Sequence, residues 1–168
     1  MIREIAALTP RELDDLCDVL VAAVDDGASI GFLPPMHRSE AEAYWRGVTK
    51  PGTVLLVWEE DGTILGTVQL HLEGRPNGNH RGEVAKLIVH PKARRRGIAR
   101  KLMERLHEIA VERERRLLVL DTREGDPSND LYRSMGYQEA GRIPGYAKSG
   151  SGTFDTTVVY FKPVTSAP

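Results

Sequence analysis

The 168-residue chain, 40% apolar and 28% charged, has the length and composition of one soluble globular domain with room for a sizeable core. Its 23 basic and 24 acidic residues leave a net charge of -1, so no global field exists to hold a long nucleic acid or a membrane surface, and the expected partner is small. The start, MIREIAALTP, lacks the apolar core of a signal peptide, no stretch approaches the roughly 18 apolar residues of a membrane span, and Cys17 is the only cysteine, which excludes an internal disulfide and a multi-cysteine metal site.

These features point to a cytoplasmic protein. In chain order, Thr9-Pro10-Arg11-Glu12 reads as a capping box with proline at the first helical position, and Leu13, Leu16, Leu20 and Val24 follow on one helical face. Cys17, among those leucines, reads as a buried structural thiol. The helix stops near Asp25-Asp26-Gly27, and the loop GASIGFLPPMH carries Ile30, Phe32 and Leu33, apolar residues that suit a loop lying over a pocket or an Ω-loop packed on itself. Ser39-Glu40-Ala41-Glu42 reads as a second capping box, opening a helix to about Val48.

TVLLVWEE and TILGTVQLHLE are β-rich runs joined by Asp61-Gly62, a two-residue hairpin signal. RGEVAKLIVHP predicts a strand ending at Pro91, Ile98, Leu102, Leu106 and Ile109 predict a helix to about Arg113, and LLVLDT predicts another strand. Together they make a right-handed βαβ unit with parallel strands. DPSNDLYRSMG then reads as a short helix closed by Gly136, YQEAGRIPGY as an extended piece, and TTVVYFK as a final strand. One domain over 1–163 and a loose tail over 164–168 are expected. Trp45, Trp58 and Phe154 read as packing residues, His90 as part of the turn before Pro91, and His107 as a solvated helix residue.

The stretch KLIVHPKARRRGIARKLM sets Lys92, Arg94, Arg95, Arg96, Arg100 and Lys101 around Gly97, between a strand and a helix. The first turn of a helix has N–H groups without intrahelical partners and the positive end of the macrodipole, and glycine lets a phosphate approach the backbone. Arginines there add charge-assisted hydrogen bonds. Arg94, Arg95, Arg96, Gly97, Ile98, Ala99 and Arg100 thus read as a diphosphate cradle, with Lys92 and Lys101 solvated. The alternative is a tight turn with solvated arginines. The missing Gly-Lys-Ser/Thr ending excludes a Walker loop, and the missing second and third glycines a Rossmann fingerprint.

Arg94-Arg95-Arg96-Gly97-Ile98-Ala99, directly after a strand ending in Val-His-Pro, resembles the acetyl-CoA-binding motif of the GNAT acetyltransferases. GASIGF, RPNGNHRGEVAKLIVHPKARRRGIARKLM, LLVLDTREGD, LYRSMGY, GRIPGYA and TTVVYFK extend the resemblance to the tabtoxin-resistance subfamily across nearly the whole chain. It implies an α/β (α+β) fold with a mixed, mostly antiparallel sheet flanked by helices, whose parallel strands 4 and 5 splay apart around the pantetheine arm of acetyl-CoA. By that similarity Leu87, Ile88 and Val89 meet pantetheine, and residues 95–100 the diphosphate. The chemistry needs no metal, and the histidines form no metal-binding spacing.

An amine that attacks a thioester must first lose a proton, and the sulfur leaves as a thiolate. Glu83, near the beginning of the cofactor strand, and Asp121, at the end of LLVLD, both fit the splayed cleft; pairing of Glu83 with Lys86 or Arg81, and loop capping by Asp121, are the alternatives. The resemblance makes these two carboxylates the candidates to bind the acceptor ammonium or take its proton, and matches Tyr132 to the tyrosine beside the thioester sulfur, the general acid. Phe32 joins Glu83 and Asp121 as a substrate-binding candidate. Where many GNAT members carry an asparagine seven residues before this tyrosine, the chain has Gly125; Asn129 lies nearby but out of register.

The leading expectation is therefore an acetyl-CoA-dependent N-acetyltransferase that acetylates a primary amine of a small molecule directly, possible acceptors being amino-acid-like toxins or antibiotics, with a role in resistance. A non-catalytic acetyl-CoA sensor is the alternative from another class; nucleic-acid binding is disfavoured by the net charge and by Glu104 and Glu108 on the same helix. Dimers are common among similar enzymes, and the final strand could contribute to a homodimer.

Overall fold

The computed structural model describes residues 1–165. Its first strand, β1 (Ile2–Ile5), has no counterpart in the sequence reading: four residues give too short an alternation, and the strand is defined by antiparallel pairing with a later one. α1 (Pro10–Asp25) starts as the sequence predicts, the Glu12 N–H donating to Thr9 Oγ1 at 3.3 Å and the Thr9 N–H to Glu12 Oε2 at 2.7 Å. The second expected capping box does not form. α2 (Arg38–Arg46) begins before Ser39, with His37 at its N-cap and no side-chain hydrogen bond there; Arg38 instead fastens its first turn to α1 through ion pairs with Asp14 and Asp18.

β2 (Thr53–Glu60) and β3 (Thr63–Leu72) form the expected hairpin, with Asp61 and Gly62 at φ 48° and 74°. β4 (Arg81–Val89), a 3-10 turn (Pro91–Ala93), α3 (Ile98–Glu112) and β5 (Leu117–Arg123) make the βαβ unit. α4 (Ser128–Ser134), β6 (Gln138–Lys148) and β7 (Phe154–Pro163) follow. The seven strands lie in the order β1-β2-β3-β4-β5-β7-β6, antiparallel except for β4 and β5.

Helices cover both faces of the sheet. Leu102, Met103 and Leu106 of α3 pack on Val54, Leu56, Val68 and Leu118, whereas Leu16, Leu20 and Trp45 of α1 and α2 pack on Leu55 and Val57. The continuous apolar run of β2 follows, because each alternate residue meets a different helical layer. Cys17 is fully buried in the second layer. Val164, expected at the start of a loose tail, is 5% exposed and donates its N–H to the Arg116 carbonyl at 2.9 Å, extending the contacts of β7 beyond Pro163; the tail residues 166–168 lie outside the described residues. Phe154 departs from its expected packing role: it pairs with Lys148 at the loop end of the β6-β7 hairpin and is 69% exposed.

The parallel pair is short. β4 and β5 are in register only from Arg81, Gly82 and Glu83 to Leu117, Leu118 and Val119, and beyond those positions the two strands have no pairing. Leu106 is fully buried in the layer behind that opening, so Leu106→Ala is expected to lower the unfolding free energy by about 2–5 kcal/mol, read as a lower denaturant midpoint with an unchanged slope.

Candidate active site

The pairing of β4 with β5 ends at Glu83, and three residues further on β4 carries an extra residue. β4 pairs with β3 through Ala85 opposite Gln69 and Ile88 opposite Thr67, so Lys86 and Leu87 together face the single residue Val68. That is a β-bulge, and Lys86 carries its strained torsion, φ 52°. The extra residue shifts the alternation. Val84 packs in the α3 layer, but Ile88, four positions on, packs in the α1 and α2 layer, while Leu87 and Val89 rest against the α3 layer. The edge of β4 beyond Glu83 has no strand beside it and forms one wall of a cleft of about 620 Å³. Leu87, Ile88 and Val89 line this cleft with Glu83, Asp121 and Tyr132.

At one end of the cleft the chain turns into α3. Arg95 and Gly97 both have positive φ, 63° and 77°, and the first hydrogen bond of the helix runs from the Lys101 N–H to the Gly97 carbonyl at 3.1 Å. The N–H groups of Ile98, Ala99 and Arg100 are therefore free of intrahelical acceptors. A Cβ built on Gly97 would meet nothing within 4 Å, so the space over the turn is open to a ligand. The arginines are not equivalent. Arg94 pairs with Asp26 and donates from Nε to the Val89 carbonyl at 3.3 Å; Arg96 pairs with Glu60 at 2.7 Å; Arg100 donates to Ser134 Oγ at 2.7 Å. Arg95 has no ion pair with any described residue. Lys92 is exposed, and Lys101 is exposed with its ammonium 5.1 Å from the Trp58 ring centroid.

Glu83, Val119 and Asp121 share one face, because Glu83 is in register with Val119 and Asp121 lies two residues further along β5. Both carboxylates are exposed to the cleft. Glu83 forms no ion pair with Lys86 or Arg81, Arg81 joining Glu73 at 3.2 Å, and Asp121 accepts a hydrogen bond from Thr157 Oγ1 at 2.8 Å. Tyr132 is 6% exposed, its ring against Tyr137 and Tyr160, yet its hydroxyl has no hydrogen-bond partner among the described residues, and the side chain borders the cleft. Burial, helped by the charges of Asp126 and Asp121, raises its pKa far above the ordinary phenol value, so it stays protonated. Phe32 stands edge-on to Tyr44, centroids 5.2 Å apart, in the wall of a second cavity of about 480 Å³ that shares residues 27–29 and 31 with the first.

Asn129 is consumed by the fold: its Nδ2 donates to the Arg123 and Asp126 carbonyls, both at 2.8 Å, and its Oδ1 accepts from the Tyr160 hydroxyl at 2.8 Å. Its work is to fix the start of α4, and through it Tyr132. Lys86 and Arg123 are cleft residues that the sequence reading missed. Arg123 had a signal, lying two residues after Asp121 on the same strand face. Lys86 had none, since nothing in Val-Ala-Lys-Leu-Ile marks a bulge.

A family model described as the acetyltransferase (GNAT) family matches residues 30–137. An uncharacterized N-acetyltransferase from the hisH-hisA intergenic region of Azospirillum brasilense is 36% identical over 126 residues, 73% of this chain and 75% of that protein. The chain belongs to the GNAT acetyltransferase family. The same fold is seen in a ribosomal-protein-alanine N-acetyltransferase from Brucella melitensis, TM-score 0.82 at 23% identity over 98% of this chain and 99% of that one. It is also seen in yncA from Salmonella typhimurium, solved with its cofactor acetyl-CoA, TM-score 0.81 at 19% identity over 100% and 95% of the two chains. This GNAT member is thus an N-acetyltransferase with a mixed sheet whose parallel strands part beside the cleft.

Behind Tyr132, the acetyltransferase departs from expectation at His107. It is half-buried rather than solvated, because the flank of α3 turns it toward Tyr137, just after α4, where its Nε2 is 2.9 Å from the Tyr137 hydroxyl. Burial, with Lys162 nearby, pushes its pKa down to about 4. A histidine whose pKa is lowered by folding binds fewer protons folded than unfolded between pH 6.5 and about 4. Stability should therefore fall as pH drops through that window, and His107→Gln should flatten the fall in pH-dependent denaturation.

Proposed function

We propose that the enzyme transfers the acetyl group of acetyl-CoA directly to a primary amine of a small molecule, and that Glu83, Asp121 and Tyr132 carry the chemistry. One observation supports this reading above the others: two exposed carboxylates and one protonated, unpartnered tyrosine hydroxyl border a single cleft whose wall is the free edge of β4. Bound acetyl-CoA supplies the thioester that the amine attacks. The residues present fit that ligand, since the open β4 edge at 87–89 offers backbone hydrogen bonds to the amides of pantetheine. Beyond it, the N–H groups of Ile98, Ala99 and Arg100, with Arg95 and the bare Gly97, offer a site for the diphosphate.

Arg94, Arg96 and Arg100 flank this cradle while holding protein partners, so their part is to shape the turn and add positive potential. Glu83 and Asp121 receive the acceptor ammonium and take its proton, directly or through water, because an alkylamine of pKa about 10 is otherwise protonated at neutral pH. Tyr132 donates its hydrogen bond to the sulfur as negative charge develops there. Phe32 lines the acceptor chamber. The acceptor class we favour is amino-acid-like, in keeping with the resemblance to the tabtoxin-resistance subfamily, with toxin or antibiotic resistance as the role.

Release of CoA thiol from acetyl-CoA across a panel of amines, amino acids and β-lactam dipeptides tests the reading. With an active acceptor, Tyr132→Phe is expected to lower kcat by about 100-fold, and Glu83→Gln or Asp121→Asn to shift the pH–rate profile to higher pH. Full turnover by Tyr132→Phe across pH would remove its assigned role. Separately, Gly97→Val, which places a branched side chain over the cradle at φ 77°, is expected to raise the Kd for acetyl-CoA by about 10-fold or more, read by calorimetry.

A further inference from the structure

Lys86 is a half-buried ammonium without an acceptor. It lines the same cleft as Glu83 and Asp121, on the side of the loop joining α1 to α2. Its Nζ lies 5.7 Å from the Phe32 ring centroid and 5.9 Å from that of Tyr44, and a Cβ on Gly31 would come within 3.3 Å of it. No described residue gives Lys86 a hydrogen bond or an ion pair. The other basic side chains lining this cleft are partnered: Arg94 with Asp26, and Arg123 with Asp126 at 3.5 Å and Asp155 at 3.8 Å.

Two aromatic faces favour the charged form but offer no lone pair, and a cation partly removed from water is stabilised most by an anionic oxygen. The fold also meets a conformational cost to place it there, since Lys86 occupies the positive-φ position of the bulge, where glycine would be free of strain. Gly31, with φ 94° and no side chain, lets the loop cross close to the ammonium while leaving the approach open. Burial lowers the Lys86 pKa, an effect opposed by the Asp121 and Glu83 charges, so a bound anion would gain a partner that the protein itself withholds.

We propose that Lys86 is a specificity-determining residue that binds the carboxylate of an acceptor carrying amine and carboxylate together, while Glu83 and Asp121 receive the amine. The assignment rests on the acetyltransferase reading above and deepens it. It divides the acceptor into three parts: ammonium toward the two acidic side chains, carboxylate at Lys86, and side chain in the 480 Å³ chamber beyond Phe32.

The test compares the α-amino acids with their α-amides and decarboxylated amines as acceptors, by CoA thiol release, in wild type, Lys86→Met and Lys86→Arg. Thermal unfolding and acetyl-CoA binding report that each variant is folded. The wild type is expected to favour an acid over its amide by about 10- to 100-fold in kcat/KM, with Lys86→Met bringing the ratio to about 1 and Lys86→Arg restoring part of it. Acetylation of the amides and amines with no preference for the acids, or a preference that survives Lys86→Met, would overturn the assignment and leave the acetyltransferase reading intact. An absence of thiol release with every amine of all three sets would overturn both.

Discussion

Two residues of β4, Lys86 and Leu87, stand opposite one residue of β3, and the geometry of the cleft is tied to that mismatch. The bulge lies just beyond the point where the β4-β5 ladder stops after three pairs, and on the side facing β5 the main chain beyond Glu83 is left with hydrogen-bonding groups that no strand satisfies. An exposed parallel edge inside a sheet would be a liability in a protein with no ligand to fill it. The layers behind the edge are not weakened by the opening: Val84 and Leu118 on one side, Ile88 on the other, remain buried because the bulge moves Ile88 to the second helical layer.

The charge distribution follows the same economy. A chain of net charge -1 places three consecutive arginines in one loop, yet two of the three neutralise Asp26 and Glu60 and tie that loop to α1 and to β2. Exposed pairs of this kind contribute little stability each, so their effect lies in fixing where the turn sits. What remains available at the turn is Arg95, the positive end of α3 and three free N–H groups around a glycine. An anion held there would be recognised mainly by backbone geometry, and the local field is too confined to gather a polyanion.

Much of this was legible in residue patterns whose signals are local. The first capping box, the Asp61-Gly62 hairpin, the βαβ unit and Gly97 at the start of α3 each depend on a few neighbouring residues. The position of the carboxylates was legible in part, since Asp121 follows the apolar run 117–120 and Glu83 stands in a run apolar apart from Lys86, and the register brings the two to one face. Features set by distant contacts were not. β1 is recognisable only through its pairing with β2, and the Ser39 capping box lost to the ion pairs that Arg38 makes with α1. His107 is polar on an amphipathic helix, and only the placement of Tyr137 against it shows that it is half-buried. Lys86 shows the limit most clearly. Its sequence neighbours suggest an exposed partner for Glu83, whereas the bulge carries its ammonium toward Phe32 and Tyr44.

Cleft and fold therefore meet at one position: the extra residue of β4, just beyond the parting of the strands, also carries the cation facing Phe32 and Tyr44. Hydrogen exchange of the backbone amides, followed by titration with acetyl-CoA, tests this most directly. The account predicts that amides in 85–89 and 98–100 slow by about 10-fold or more on saturation while β1 and β2 are unchanged. Unaltered exchange in both segments at saturating acetyl-CoA would contradict it.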